Sequence, residues 1–210
     1  MDEIFPSIFK VLPTKPLPSK CMSFLVRRSE GNLLFPCFSV SATIHARFDP
    51  IESMGGISRQ LLGDSHFKTP HCDEVFERFG APLYCSQPEA ADVLKSVKNV
   101  RVFPLERHEL EPGVEVIPIP GHRPGGTGYL VSHEGRKYLF VGDGIWHDGK
   151  AWKAFPTKTG RATMIESLRR LADVEFDVLL ANTRVDNPTC AIEVNPNSRR
   201  SLLESIANAL

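Results

Sequence analysis

The sequence predicts an α/β (α+β) fold in which two mixed β-sheets are covered by helices. Two observations support this prediction. The first is a pair of similar hairpin patterns, at residues 22–35 and 129–140, which lie about half a chain apart. The second is the alternation of short apolar runs with amphipathic segments along the rest of the chain. Together they favour two sheets, each with its own antiparallel hairpin.

The two hairpin patterns share a Glu-Gly turn, at 30–31 and 134–135, between apolar runs. The matching pieces of the two patterns are offset by 104–105 residues. This similarity predicts one domain, 1–210, built from two pseudo-repeated halves of about 1–105 and 106–210. Chance recurrence of such hairpins is the alternative explanation.

The other elements follow from apolar periodicity and from helix-capping residues. The proline-rich stretch 1–20 predicts an edge strand and a loop rather than a helix. Trp146 and Trp152 bracket Asp148-Gly149-Lys150, which fits a further hairpin, core packing or the lining of a pocket. Strands are expected at 57–62, 82–85, 100–103, 114–119 and 176–180, and helices at 73–79, 88–95, 161–172 and 198–210.

Composition excludes several function classes. The 25 basic and 25 acidic side chains cancel, which argues against bulk electrostatic binding to nucleic acid or to an anionic membrane. The chain start is acidic and lacks the pattern of a signal peptide. Five widely spaced cysteines without a C-x-x-C motif are typical of reduced thiols in a cytoplasmic protein. Oligomeric state and substrate are not specified by these features.

Candidate binding and catalytic residues follow four of the expected strands, where sheet proteins place their ligand-binding loops. The loop 61–66 contains Asp64 and His66, and the loop 119–126 contains His122. The loops 140–144 and 179–183 contain Asp143 and Thr183. Any of these residues alone also fits a cap, a turn or a solvated position.

The order of these motifs resembles the metallo-β-lactamase superfamily. Residues 120–125 read Pro-Gly-His-Arg-Pro-Gly, a hairpin follows, and Gly142-Asp143 comes about twenty residues after the histidine. The resemblance extends to 22–35, 61–85 and 176–180, and so covers most of the chain in order. It implies a four-layer αβ/βα sandwich of two mixed β-sheets flanked by helices.

The family resemblance also implies a metal centre of one or two zinc or iron ions. Its ligands come from a T-H-x-H-x-D-H loop, the Pro-Gly-His histidine, the Gly-Asp aspartate and a last histidine. By this correspondence His66, His122 and Asp143 match ligand positions, and Asp64 stands where the first histidine would be. Two imidazoles with one or two carboxylates suit a zinc or iron ion.

The second metal position lacks most of its expected ligands. Lys68 stands in place of the aspartate, Thr69 in place of the third histidine and Thr183 in place of the last one. A protonated lysine has no lone pair to donate to a metal. One hypothesis is that the Lys68 ammonium neutralises Asp143 instead. His71 could replace His66 as a ligand if the register slips, and His147 could lie at the rim.

Two functions remain open at this point. The first is a metal-dependent hydrolase of an ester, thioester, lactam or phosphoester with at most one ion, in which Asp64, His66 and His122 bind the metal. Asp143 would ligate the ion or orient water, so Asp143 and Asp64 are the candidate catalytic carboxylates. The second is a metal-free pseudoenzyme that serves as a binding or scaffold protein.

Overall fold

A computed structural model describes residues 1–11, 21–37, 44–182, 184, 187 and 189–210. The chain divides into two compact units. The first comprises Met1–Phe103 with Arg184–Asp186, and the second comprises Pro104–Thr183 with Asn187–Leu210. Each unit has its own large mixed sheet and its own apolar core. The origin of the halves by duplication stays a prediction.

The sheet of the first unit has seven strands, and each strand pairs with its sequence neighbours. The strands are β1 Asp2–Phe5, β2 Ile8–Val11, β3 Ser23–Val26, β4 Leu33–Phe35, β5 Arg59–Leu61, β6 Leu83–Ser86 and β7 Val100–Phe103. The first four strands are antiparallel, and pairing becomes parallel from β4 onward. This change follows the sequence, because parallel neighbours require long crossovers and the chain there alternates strands with helical segments.

The helices in the described part of the first unit are short. They are α1 Phe48–Ser53, α2 His71–Phe79 and α3 Gln87–Val93, and a 3-10 turn spans Ser65–Phe67 directly after β5. Helix α2 ends at Gly80, whose left-handed conformation (φ 71°) closes the last turn. Buried apolar residues of the strands and of α2 form one core, which includes Leu25, Leu34, Val75 and Leu83.

The second unit has a sheet of six strands. They are β8 His108–Glu111, β9 Val114–Pro118, β10 Thr127–His133, β11 Arg136–Phe140, β14 Val178–Leu180 and β15 Ala191–Glu193. Their order across the sheet is β15-β14-β11-β10-β9-β8, and β11 and β14 run parallel. The central hairpin joins β10 and β11 through Glu134 (φ 49°) and Gly135 (φ 77°), the positive-φ pair that a two-residue hairpin turn requires.

Two helices, α4 Arg161–Leu171 and α5 Pro196–Asn208, complete the core of the second unit with Met164, Leu168 and Leu203. A separate two-stranded sheet pairs β12 Ile145–His147 with β13 Trp152–Ala154. Trp146 and Trp152 pack against the core of this unit, so the hairpin interpretation and the core interpretation of this segment are both confirmed.

The expected fold class is confirmed: two large mixed sheets are flanked by helices. The expected helix at 198–210 begins at Pro196, because Asn195 caps it and proline suits the first helical position. The helix expected at 73–79 begins two residues earlier, at His71. Within the described residues, no helix has both the length and the apolar content needed to span a bilayer.

Candidate metal centre

Asp64 and His66 lie together at the carboxyl end of β5. Asp64 caps the 3-10 turn, and its Oδ1 accepts a hydrogen bond from the backbone N–H of His66 at 2.8 Å. The Asp64 side chain is buried, whereas His66 remains 40% exposed. His66 Nδ1 lies 3.6 Å from Asp64 Oδ1. The turn therefore presents one buried carboxylate and one accessible imidazole side by side.

His122 and Asp143 form a second pair in the other unit. His122 follows β9 in the Pro-Gly-His loop, and Asp143 follows β11 after Val141 and Gly142. The Nε2 atom of His122 lies 3.4 Å from Oδ1 of Asp143. The imidazole is buried, and the Asp143 side chain is about a quarter exposed, at 27%. Part of this carboxylate is therefore accessible to solvent.

The backbone carbonyl of Phe155 fixes the tautomer of His122. The distance from His122 Nδ1 to Phe155 O is 2.5 Å. A carbonyl oxygen only accepts hydrogen bonds, so the proton of the neutral imidazole is on Nδ1. Its Nε2 lone pair then faces Asp143 Oδ1. A histidine held in this way by its second nitrogen is the usual arrangement of a metal ligand.

Gly121 allows the His122 loop to lie against helix α4. Its φ of 132° is unfavourable for other residues, and an added Cβ would lie 2.6 Å from Met164 Cβ and 2.7 Å from Met164 Cα. The carbonyl of Gly121 accepts a hydrogen bond from Thr157 N–H at 3.0 Å. This close approach fixes the position of the backbone immediately before His122.

Each pair supplies donor types that suit a metal ion. His66 with Asp64, and His122 with Asp143, each bring one imidazole and one carboxylate. Ligand atoms at 2.0–2.2 Å from a tetrahedral zinc ion are about 3.3–3.6 Å from each other. The N···O distances of 3.4 and 3.6 Å within the pairs are near this range. They are longer than a normal N–H···O hydrogen bond.

Lys68 does not have the partner that the sequence suggested. Its ammonium lies 2.7 Å from Oδ2 of Asp92 and donates a hydrogen bond to the Ser65 carbonyl at 3.1 Å. The expected pairing of Lys68 with Asp143 is therefore replaced by a pair within the first unit. The physical reason is local: α3 presents Asp92 to the loop that contains Lys68, within reach of a lysine side chain.

The other sequence candidates have structural partners of their own. Thr69 is buried, and its hydroxyl contacts the backbone N–H of His71 at 3.4 Å at the start of α2. His71 Nδ1 lies 3.1 Å from Glu74. His147 Nδ1 accepts a hydrogen bond from Gly149 N–H at 3.1 Å. His66, rather than His71, is thus the histidine beside Asp64. Thr183 lies outside the described residues.

Three residues near these pairs escaped the sequence interpretation. Phe155 acts through its carbonyl, which no side-chain pattern reveals. Glu89 and Asp92 belong to α3, where acidic residues are common and carry no specific signal. Both contact the loop that follows β5.

Comparison with known proteins gives a fold but no close relative. No family model matches the chain. An uncharacterised protein, YmaE of Bacillus subtilis (strain 168), is 25% identical over 121 residues, or 57% of this chain. The match spans 43% of the length of that relative.

Solved structures match nearly the whole chain. A metallo-β-lactamase with the HARLDQ motif from Cronobacter sakazakii has a TM-score of 0.68 at 17% identity, covering 99% of this chain and 94% of its own. A metallo-β-lactamase family protein from Thermus thermophilus has the same TM-score and identity, with 99% and 80% covered. A B3 metallo-β-lactamase described as having an active-site glutamic acid reaches 0.66 at 13%, with 99% and 90% covered. These likenesses show that the chain has the metallo-β-lactamase fold.

Proposed function

We propose that this protein is a metal-dependent hydrolase that binds one ion through Asp64, His66, His122 and Asp143. The observation that carries the proposal is the orientation of His122. With its Nδ1 proton on Phe155 O, its Nε2 lone pair faces a carboxylate oxygen at 3.4 Å. In this largely buried position, a cation between the imidazole nitrogen and the carboxylate oxygen would compensate the negative charge of the carboxylate. The cation that we propose is a metal ion.

Three groups of the protein have separate roles in the proposed metal centre. When bound, the metal provides Lewis acidity and makes a bound water more acidic. Phe155 O keeps the imidazole proton away from the metal-facing nitrogen. Asp64 is buried and its Oδ1 is engaged by the His66 N–H, which suits a fixed ligand. Asp143 is partly exposed, which suits the carboxylate that orients water.

The structure supports one ion rather than two. A second ion would need ligands where Lys68 and Thr69 stand, and Lys68 already pairs with Asp92. The Thr69 hydroxyl contacts the start of α2. Neither residue offers the carboxylate or imidazole that zinc and iron prefer. A B3 metallo-β-lactamase of similar fold has an active-site glutamic acid, so a carboxylate in this position of the proposal is compatible with the fold.

Substrate class is part of the proposal. Esters, thioesters and phosphoesters are the proposed substrates, because a single Lewis-acidic ion with a carboxylate serves hydrolysis of each. Zinc or iron is the proposed ion. The match covers only 43% of the length of the Bacillus subtilis relative. The activity and partners of the whole protein are therefore also proposals. The cytoplasmic location stays a prediction.

Elemental analysis of protein purified without added metal is the direct test. We expect about one zinc or iron per chain, and we expect His122→Ala to lose it. The matched control is His147→Ala, because this histidine is in the same unit and its Nδ1 is used by a turn. At a free-metal concentration 100 times the Kd, binding should stabilise the wild type by about 2.7 kcal/mol. Chelator should reverse this stabilisation.

The same measurement distinguishes the hydrolase from the second candidate function, a metal-free binding or scaffold protein. A wild type that neither contains nor takes up metal, and whose stability chelator leaves unchanged, contradicts the metal centre and favours a non-catalytic binding protein. Lys68 gives this candidate its specific support, since it stands where an acidic ligand of the second metal is expected and is paired with Asp92. Bound metal without turnover of generic esters, thioesters and phosphodiesters would contradict the proposed substrate range.

A further inference from the structure

Helix α3 directs two carboxylates at a single residue, Ser65, which lies between Asp64 and His66. The first carboxylate belongs to Glu89, which is only 3% exposed. Its Oε2 accepts a hydrogen bond from the backbone N–H of Ser65 at 3.0 Å. This bond fixes the peptide plane between Asp64 and Ser65.

The second carboxylate acts through a lysine. Asp92 Oδ2 lies 2.7 Å from Lys68 Nζ, which donates a hydrogen bond to the Ser65 carbonyl at 3.1 Å. This arm fixes the next peptide plane, between Ser65 and His66. The N–H of that same plane donates to Asp64 Oδ1 at 2.8 Å. Both peptide planes that flank Ser65 are therefore held by side chains.

Glu89 is a nearly buried carboxylate that accepts a backbone hydrogen bond from the loop. Burial of an ionised carboxyl group is unfavourable unless hydrogen bonds compensate it, and a neutral side chain could accept the same bond. Glu89 lies beside the loop that holds Asp64 and His66, and its hydrogen bond to Ser65 N–H joins it directly to that loop.

We propose that Glu89 is a positioning residue for the metal centre, and that Asp92 supports it through Lys68. The inference rests on the proposed function, because the groups being positioned are the proposed ligands Asp64 and His66. None of the three residues belongs to the proposed ligand set. Their role is to set the backbone of the loop so that the carboxylate and the imidazole reach it together.

The test compares substitutions of Glu89 by two readouts, zinc affinity from competition with a chromophoric chelator and amide hydrogen exchange of residues 64–66 without metal. Loss of an outer partner of a metal ligand typically weakens metal binding 10–100-fold. We expect Glu89→Ala to weaken zinc binding by about that factor and to speed exchange at 64–66. Glu89→Gln keeps an acceptor oxygen and should restore both readouts to within about threefold of wild type.

Asp73→Ala is the matched control. Asp73 is another carboxylate of the first unit that accepts backbone N–H groups, those of Lys98 and Asn99 at 3.0–3.1 Å. It should lower stability and leave zinc affinity unchanged. If Glu89→Ala fails to fold, Lys68→Met removes the second arm at a partly exposed position and should weaken zinc binding about tenfold.

The two readouts separate the two proposals. If wild type binds zinc and neither Glu89→Ala nor Lys68→Met changes its affinity, the positioning role is overturned while the metal centre stands. If wild type binds no zinc, the proposed function fails, and exchange still decides whether Glu89 orders the loop. Unchanged exchange at 64–66 in Glu89→Ala overturns that role in either case. If Asp73→Ala loses as much zinc affinity as Glu89→Ala, a general loss of stability explains both effects. That result also overturns the positioning role of Glu89.

Discussion

Gly121→Ala tests the close contact that positions His122. The new Cβ would lie 2.6–2.7 Å from Met164 Cβ, Cα and N, and two of these atoms belong to the helix backbone, which cannot move aside cheaply. Overpacking of this kind destabilises by about 1–3 kcal/mol. The φ of 132° adds backbone strain of about 1–3 kcal/mol for a residue with a Cβ. We therefore expect a loss of about 2–6 kcal/mol in the free energy of unfolding, measured by urea denaturation.

Gly135→Ala is the control for the strain component alone. Gly135 also has a positive φ, 77°, but a Cβ added there, in the β10–β11 turn, would meet no atom within 4 Å. Left-handed strain of about 1–2 kcal/mol is the whole expected loss. If Gly121→Ala is no more destabilising than Gly135→Ala, the reasoning from the Met164 contact is refuted. Metal affinity should fall only for Gly121→Ala, because only that change displaces His122.

Two further predictions concern ionisable groups. Hydrogen bonds from Lys68 and then Lys95 lower the pKa of Asp92 to about 2. A lowered folded-state pKa contributes stability that is present above the unfolded-state pKa near 4 and is lost as pH falls through the folded-state pKa. Metal-free wild type should thus be more stable than Asp92→Asn by a constant amount above about pH 5. In urea denaturation this difference should shrink as pH falls from 4 through 2, and a difference at pH 2 as large as that at pH 6 would contradict the reasoning. Burial raises the pKa of Cys72 to about 12 and that of Cys85 to about 11, so at pH 8 both thiols should resist a disulfide reagent in the native protein and react after unfolding.

The sequence predicts the elements well because their signals are local. The β10–β11 hairpin follows from Glu134-Gly135, which supplies the two left-handed residues that its turn needs. The early start of helix α2 at His71 is not predicted, since no side-chain capping hydrogen bond marks its N-terminus. Strands β8 and β15 are not predicted either, because each is a short strand at the edge of its sheet with a weak apolar pattern.

The candidate site is only half predictable, for a different reason. His122 and Asp143 stand in recognisable motifs, and Asp64 and His66 follow a strand end, so position along the chain identifies them. The partner of Lys68 depends instead on how α3 packs against the loop, which is a tertiary fact. Opposite charge alone makes Asp143 a plausible partner for Lys68. The packing of α3 brings Asp92 close to Lys68 instead.

The contact between His122 and Phe155 has a consequence for how this protein can change. The tautomer depends on a main-chain oxygen, so any amino acid at position 155 can preserve it. The Phe155 side chain is 61% exposed, and its ring centroid lies 5.7 Å from that of the imidazole. Substitution there alters the surface beside the histidine without changing which ring nitrogen faces the main-chain oxygen. A change in the length of the β12–β13 segment would do the reverse, because it shifts the oxygen and leaves the surface chemistry intact. Point variation and length variation at this segment therefore act on separate properties of the same site.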